Sequence, residues 1–301
     1  MISVVVPAHN ESDVIGRCLG AILSDADIGE LDVVVVCNAC TDDTAEIARR
    51  FGPDVRVLET DVPGKPNALN MGDRVAQHFP RIYVDADVVM ATEAVRQVAE
   101  ALGDEQVLAA APRPRINLQG RNWLIRSYYR IWTNLPYCRE EMVGSGVYAL
   151  SEAGREAFGD FPELLAEDDF IRLTYPKERR KQVSEASFQI DAPTSFWALV
   201  KIRCRWARSN DQIDATYPHL RSNDKRDYNG PLRELVGQPG AWPAMFVYAF
   251  VVVTARLVGK WQIRFAANPW NWSRDATARE AAVGTEAAYE RTERETVKTR
   301  V

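Results

Sequence analysis

Five short apolar runs, often β-branched, recur through the first third of the chain: Ile2–Val6, Leu31–Val36, Val55–Leu58, Arg81–Val84 and Val107–Ala111. Between them the hydrophobic period lengthens. Across Ser12–Leu23 the apolar positions are Val14, Ile15, Cys18, Leu19, Ile22 and Leu23, which is one face of a helix. Thr41 is placed to cap a helix running to Phe51, Pro66 opens one that reaches Phe79 before Pro80, and Thr92–Leu102 reads as a fourth. Strands separated by helices of this length imply an α/β fold with a mostly parallel, Rossmann-like sheet flanked by crossover helices. Such sheets bind ligands beyond the carboxyl ends of their strands, so the loops after Val6, Val36 and Val84 are the places to search for chemistry. The second half is less regular. Arg121–Trp132 reads as an aromatic helix, Val147–Leu150 as a strand, and Ser195–Arg208 as a helix ending in a basic cluster. After Arg274 the chain becomes a polar tail.

Asp85-Ala86-Asp87 stands directly after a hydrophobic strand. Two carboxylates at i and i+2 can converge on a hard cation, and Mg²⁺ is typically held by one or two carboxylates together with substrate phosphates. A solvated turn would also use Asp here. Glu167-Asp168-Asp169 is a second acidic group, which suits a helix start as well as proton transfer. Gly144-Ser145-Gly146-Val147-Tyr148-Ala149 fits a dinucleotide fingerprint in letters, but it precedes a strand where that fingerprint must follow one, so a dehydrogenase is excluded. Cys37-x-x-Cys40 between a strand and a helix also fits a redox or zinc site, yet the other three cysteines are isolated. The charge balance narrows the partners: 37 Lys plus Arg against 42 Asp plus Glu gives −5, without the chain-wide basic field that grips nucleic acid. With 46% hydrophobic and 26% charged residues the chain is neither disordered nor a polytopic membrane protein. Sparse, odd-numbered cysteines and the absence of a signal-like h-region fit a cytoplasmic location, so the sequons at Asn10 and Asn271 are chance matches.

Taken in order, Pro7-Ala8-His9-Asn10-Glu11, Gly64-Lys65-Pro66-Asn67-Ala68-Leu69-Asn70, Asp85-Ala86-Asp87 and Glu167-Asp168 resemble the motifs of family 2 glycosyltransferases, which adopt the GT-A fold. The likeness runs from Ser3 to about Arg208. It implies an inverting, metal-assisted transfer from a nucleoside-diphosphate sugar, a UDP-sugar first, to an acceptor hydroxyl. Pro7, Ala8, Asn10 and Glu11 would lie against base and ribose, Lys65 and Asn70 would add donor contacts, and Asp85, Ala86 and Asp87 would meet the ribose and a Mg²⁺ or Mn²⁺ ion. Asp168 would be the general base, with Asp169 as its rival and Glu167 orienting base or acceptor. Gly144, Ser145 and Gly146 would line the acceptor side, their missing side chains admitting a sugar. Arg205, Trp206 and Arg208 would hold the diphosphate or wall the acceptor site, and His219 is a further, weaker metal candidate. The family's acidic second loop is here Cys37-Asn38, where the Asn38 amide could read a pyrimidine edge. The processive Q-x-x-R-W motif has lost its Gln at Ile202, which argues against a polymer synthase.

The implied organisation is a GT-A domain over 1–220, with a nucleotide-sugar half at 1–113 and an acceptor half at 114–220, then a C-terminal helical extension over 221–301. A sugar nucleotidyltransferase is disfavoured because Pro7–Asp13 lacks Gly, Lys and Arg, and a silent binding protein because Asp85, Asp87 and Asp168 are all present. The acceptor is left open among polysaccharide, lipid-linked glycan and small molecule. Trp123, Tyr128, Tyr129, Trp132 and Tyr137 could stack on sugars or fill a core. Ala241–Ala255 carries no charge over 15 residues, short of the ~20 a spanning helix needs. With Trp242 before and Arg256, Lys260, Trp261 and Arg264 after, 241–264 reads as a peripheral contact with the inner face of the plasma membrane, a homodimer surface or a buried helix.

Overall fold

The computed structural model describes residues 1–135, 138, 142, 144–224 and 236–265; Tyr137, the Asn271 sequon and the tail after Arg274 lie outside them. Seven strands build one sheet: β1 (Ile2–Ala8), β2 (Leu31–Asn38), β3 (Val55–Thr60), β4 (Arg81–Val84), β5 (Ala109–Asn117), β6 (Val147–Leu150) and β7 (Arg180–Asp191). Their order is β3-β2-β1-β4-β6-β5-β7. β6 runs antiparallel to β4 and β5, and all other pairs are parallel. Val4, Val5 and Val6 are wholly buried because β1 is covered on both faces. One cover is α1 (Ile15–Leu23) and α4 (Thr92–Ala101), which contribute Ile15, Leu19, Ile22, Val95 and Val98. On the other face lie α3 (Lys65–Val75) and α7 (Glu167–Thr174), giving Leu69, Phe170 and Ile171. Between them in sequence come α2 (Thr44–Arg49), α5 (Trp123–Trp132) and α6 (Glu152–Glu156). The boundary drawn at residue 113 falls inside β5, where its pairing with β7 shifts register between Pro112 and Arg113.

Four expectations are corrected. Thr41 does not cap α2; its N–H donates to Asn10 Oδ1 at 2.7 Å, and the helix starts at Thr44. α3 stops at Val75, short of Phe79, because arginine side chains take its closing carbonyls: Arg56 donates to Val75 O at 3.0 Å and Arg81 to Ala76 O at 2.7 Å. The helix begun by the Ser195 cap runs on as α8 (Phe196–Thr216), so its basic cluster lies mid-helix. The apolar segment near residue 241 is part of α9 (Trp242–Phe265), a 24-residue helix. That helix is long and apolar enough to cross a membrane by length and composition. α5, α8 and α9 form a separate helical layer around Tyr128, Trp132, Leu199, Cys204 and Val251, with the Tyr128 and Tyr248 rings stacked at 5.2 Å.

Candidate active site

The loops leaving β1 and β2 are fastened to each other. Asn10, in the left-handed region at φ 53°, accepts from Thr41, while its own N–H donates to Cys40 Sγ at 3.3 Å. The next two amides follow suit, Glu11 N–H donating to Thr44 Oγ1 at 2.7 Å and Ser12 N–H to Asp42 Oδ2 at 3.1 Å. Asn38 is buried and spent on backbone: Nδ2 donates to Ala8 O at 2.7 Å, and Oδ1 accepts from Gly64 N–H at 3.1 Å. It is a strut between the loops, which corrects its assignment as the reader of a base edge. Asn70 behaves alike, donating to Phe161 O at 3.1 Å and accepting from Phe161 N–H at 2.7 Å. Pro7 and Ala8 are buried at the end of β1, and Ala86 is buried between the two aspartates. Cys37 and Cys40 are free thiols, and no cluster of three or more metal-ligating side chains occurs among the described residues.

The acids are arranged differently. Asp85 N–H donates to Gly146 O at 2.8 Å and Val88 N–H returns to Asp85 O at 3.1 Å, so the chain turns directly after β4 with both aspartates half-buried. Beneath them the Cys18 thiol is driven up by burial and then by the fields of Asp87 and Asp85. Lys65, the first residue of α3, lies with Nζ 2.6 Å from Asp85 Oδ1 and is also ion-paired with Glu167 Oε1. Burial opposes its charge, but Asp85, Glu167 and Asp168 outweigh that and hold its pKa above the usual lysine range. Asp168 follows Glu167 on the first turn of α7, its Oδ1 accepting Asp169 N–H at 2.9 Å. Burial first, then repulsion from Glu167 and Asp169, raises the Asp168 carboxyl well above its ordinary range despite Lys65. Asp169 is committed elsewhere: its Oδ1 accepts from Arg172 Nε at 3.1 Å, and Arg172 also reaches Asp224 at 3.1 Å.

Gly144 and Gly146 face these acids. A Cβ on Gly144 would lie 2.3 Å from Asp168 Cβ, and one on Gly146, where φ is +95°, would lie 3.0 Å from Asp85 Oδ2. The space left by their missing side chains is therefore filled by carboxylates, where the sequence reading expects a sugar. Ser145 lies between them, half-exposed. The loop leading to α7 is fixed by α8, since Gln212 Oε1 accepts from Leu165 N–H at 2.9 Å and its Nε2 donates to Glu163 O at 3.1 Å. Nothing in the local sequence marks Gln212, because its partners lie 47 and 49 residues away.

The α8 cluster lies against α9. The Arg203 guanidinium lies 4.4 Å over the Trp206 ring, and both line a cavity of about 390 Å³ between α8 and α9. Arg208 packs its stem 3.6 Å from the Cβ position of Gly259, and burial, with Arg205 nearby, lowers its pKa. Trp206 and Arg208 thus pack toward α9. His219 is exposed, its ring 6.3 Å from Tyr217, and it completes no three-ligand group with Asp85 and Asp87.

A mostly parallel sheet with paired aspartates after its fourth strand and an acidic helix start opposite defines a nucleotide-sugar-type α/β transferase fold. Residues 3–149 match the model of glycosyl transferase family 2, and this part of the chain is a glycosyltransferase domain of that family with the GT-A fold. A poly-β-1,6-N-acetyl-D-glucosamine synthase of Staphylococcus epidermidis is 22% identical over 286 residues, covering 88% of this chain and 68% of the relative. Another from that species is 30% identical over 231 residues, or 70% of this chain and 55% of the relative. Among solved structures, the mannosyltransferase PcManGT from Pyrobaculum calidifontis, in complex with GDP-Man and Mn²⁺, superposes with a TM-score of 0.58 at 22% identity over 96% of this chain and 79% of that one. A glucosyl-3-phosphoglycerate synthase from Mycobacterium tuberculosis, in complex with Mn²⁺, UDP and glucosyl-3-phosphoglycerate, gives 0.51 at 20% identity over 71% and 79%. Both likenesses concern the fold.

Proposed function

We propose that the chain is an inverting glycosyltransferase that moves a sugar from a nucleoside-diphosphate sugar, a UDP-sugar first, to an acceptor hydroxyl, with Asp168 as general base. The observation that carries this is the crowding of Asp85, Glu167 and Asp168 around the ammonium of Lys65, with Asp87 two residues beyond Asp85. A carboxyl with a raised pKa, held on a helix start, is suited to take a proton from an attacking hydroxyl near neutral pH. Asp169 is discounted because Arg172 already neutralises it. The acid excess and two half-buried aspartates fit a hard divalent cation bound through oxygen, Mg²⁺ or Mn²⁺ alike, with Asp85 and Asp87 as ligands. Such an ion supplies positive charge for the leaving diphosphate. Lys65, ion-paired with Asp85, is one candidate for the phosphates and Arg205 a second. The struts at Asn10, Asn38 and Asn70 hold the donor loops ready, so Pro7, Ala8, Glu11 and Ala86 meet a nucleotide with little rearrangement. In this reading residues 1–113 carry the donor, 114–220 the base and acceptor, and 221–301 an extension that works at a membrane face of the cytoplasm. The acceptor is a glycan or lipid-linked glycan.

The test is calorimetric titration of UDP and GDP with Mn²⁺ or Mg²⁺, repeated in EDTA and with Asp87→Ala. Binding of UDP that vanishes in EDTA and in the variant is expected. Metal-independent binding of equal strength overturns the assignment of the aspartates, and a preference for GDP overturns the donor.

A further inference from the structure

α9 presents two unlike faces. Inward, Ala244, Val251, Ala255 and Gly259 are buried against α5 and α8. Outward, Trp242, Phe246, Phe250, Val253, Leu257 and Trp261 succeed one another at three- or four-residue steps, and each is more than half exposed. Those steps make one continuous stripe along a helix about 36 Å long. The stripe extends onto α8, where Phe196 stacks on Phe250 at 6.1 Å and Trp197 is 72% exposed. Isolated exposed apolar residues need no explanation, but a contiguous patch of this extent marks an interaction surface.

What covers it is indicated by charge. Trp242–Phe265 contains no Asp or Glu, while Arg256 and Lys260 stand one turn apart beside the stripe. Both line the 390 Å³ cavity with Arg203 and Trp206. Of the cavity's acids, Asp214 and Asp224 are bridged by Arg221, and Asp224 also by Arg172, which leaves Asp211. Among the described residues neither Arg256 nor Lys260 has an acidic partner. A second copy packed stripe to stripe would offer these cations no acid from the facing helix, which has none. An anionic lipid surface offers apolar chains for the stripe and phosphates for the cations.

We propose that the cavity between α8 and α9 seats the phosphate of an anionic membrane lipid while the outer stripe rests among the lipid chains, so that α9 lies along the membrane and not across it. The inner face, already fixed to α5 and α8, leaves only one side for lipid. The inference rests on the proposed function only for its meaning, which is that transfer then occurs at the lipid surface.

Co-sedimentation of the full chain with phosphatidylcholine vesicles, with and without phosphatidylglycerol, tests it. The wild type is expected to favour the phosphatidylglycerol vesicles. Arg256→Gln with Lys260→Gln should weaken that binding about 30-fold, since each cation near an anionic surface is worth on the order of fivefold. Lys260→Gln should cost more than Arg264→Gln, which lies outside the cavity lining. Phe246→Ser with Phe250→Ser should lower binding to both kinds of vesicle. Unchanged binding by the Arg256/Lys260 pair, or equal losses at Lys260 and Arg264, overturns the head-group seat. A wild type that ignores vesicles, and forms a dimer dissolved by the Phe246/Phe250 pair, replaces the membrane with a second copy. UDP titration of the same proteins separates the two readings, because vesicle binding without UDP binding overturns the proposed function and leaves this inference standing.

Discussion

The short β4–β6 pair carries an ionic cluster at each end, about 10 Å apart along the strands. At the Arg81 end, Asp73 accepts from Arg81 at 2.7 Å, Tyr83 Oη at 2.6 Å and Arg155 at 2.9 Å. One carboxylate there has three donors, and both its oxygens are used. At the Val84 end, Asp85 and Glu167 both pair with Lys65 and Asp168 lies beside them, three acids around one ammonium. The first cluster is complete as it stands and serves the fold. The second crowds like charges, and in the proposed function a cation and a proton would relieve that crowding. Tyr83 and Tyr148, stacked at 4.9 Å between the two, separate them by an apolar layer.

Single substitutions should divide along that line. Asp168→Asn is expected to cut turnover by on the order of 10³, while UDP affinity by calorimetry stays near wild type. Turnover that survives would move the base elsewhere. Asp73→Ala, at the other end, should cost about 3 kcal/mol of stability in denaturant unfolding, because two guanidiniums lose their counter-ion. Full stability there would mean that the balanced cluster contributes nothing. Gly144→Ala forces a methyl against Asp168 and should cost about 1–3 kcal/mol of overpacking, read as a lower kcat. Gly159→Ala, with no atom within 4 Å, is its silent control. The smallest effect is on pH dependence. Asp168 has a raised pKa in the fold, so its contribution to stability is whole below the ordinary carboxyl pKa and is lost as pH rises through the folded value. Asp168→Asn should therefore flatten the decline of Tm with rising pH and leave the protein more stable in mild alkali. A parallel decline in both proteins would contradict the raised pKa.

The strands that read clearly in sequence, Arg81–Val84 and Val147–Leu150 above all, are short, apolar and bounded by polar turns. β7 escaped notice because Arg180–Asp191 is an edge strand whose exposed positions are Lys, Ser, Glu and Gln, so no apolar run announces it. The acids of the site were legible as residue types, since carboxylates after a strand or at a helix start point to few tasks. The tasks of the amides were not. Asn38 and Asn70 carry the same hydrogen-bonding groups whether they meet a nucleotide or a backbone, and only the fold brings Phe161 to Asn70 across 91 residues. The contact of Gly144 with Asp168 was hidden for the same reason, and the packing of Trp206 and Arg208 toward α9 was hidden because α8 outruns its basic cluster by two turns.

The reversal of β6 has a consequence for where the chain can tolerate growth. In a parallel strand the working edge is reached on leaving; in β6 it is reached on entering, so Gly144 and Gly146 come just before the strand. Extra residues next to Gly146 would lengthen the approach to Asp85 and Asp168. The turn between α4 and β5 opens at the opposite edge, where Gly103–Gln106 are exposed. A peptide tag or fluorophore spliced there would hang from the side of the sheet remote from the carboxylates, which makes that turn the natural handle for tethering the protein.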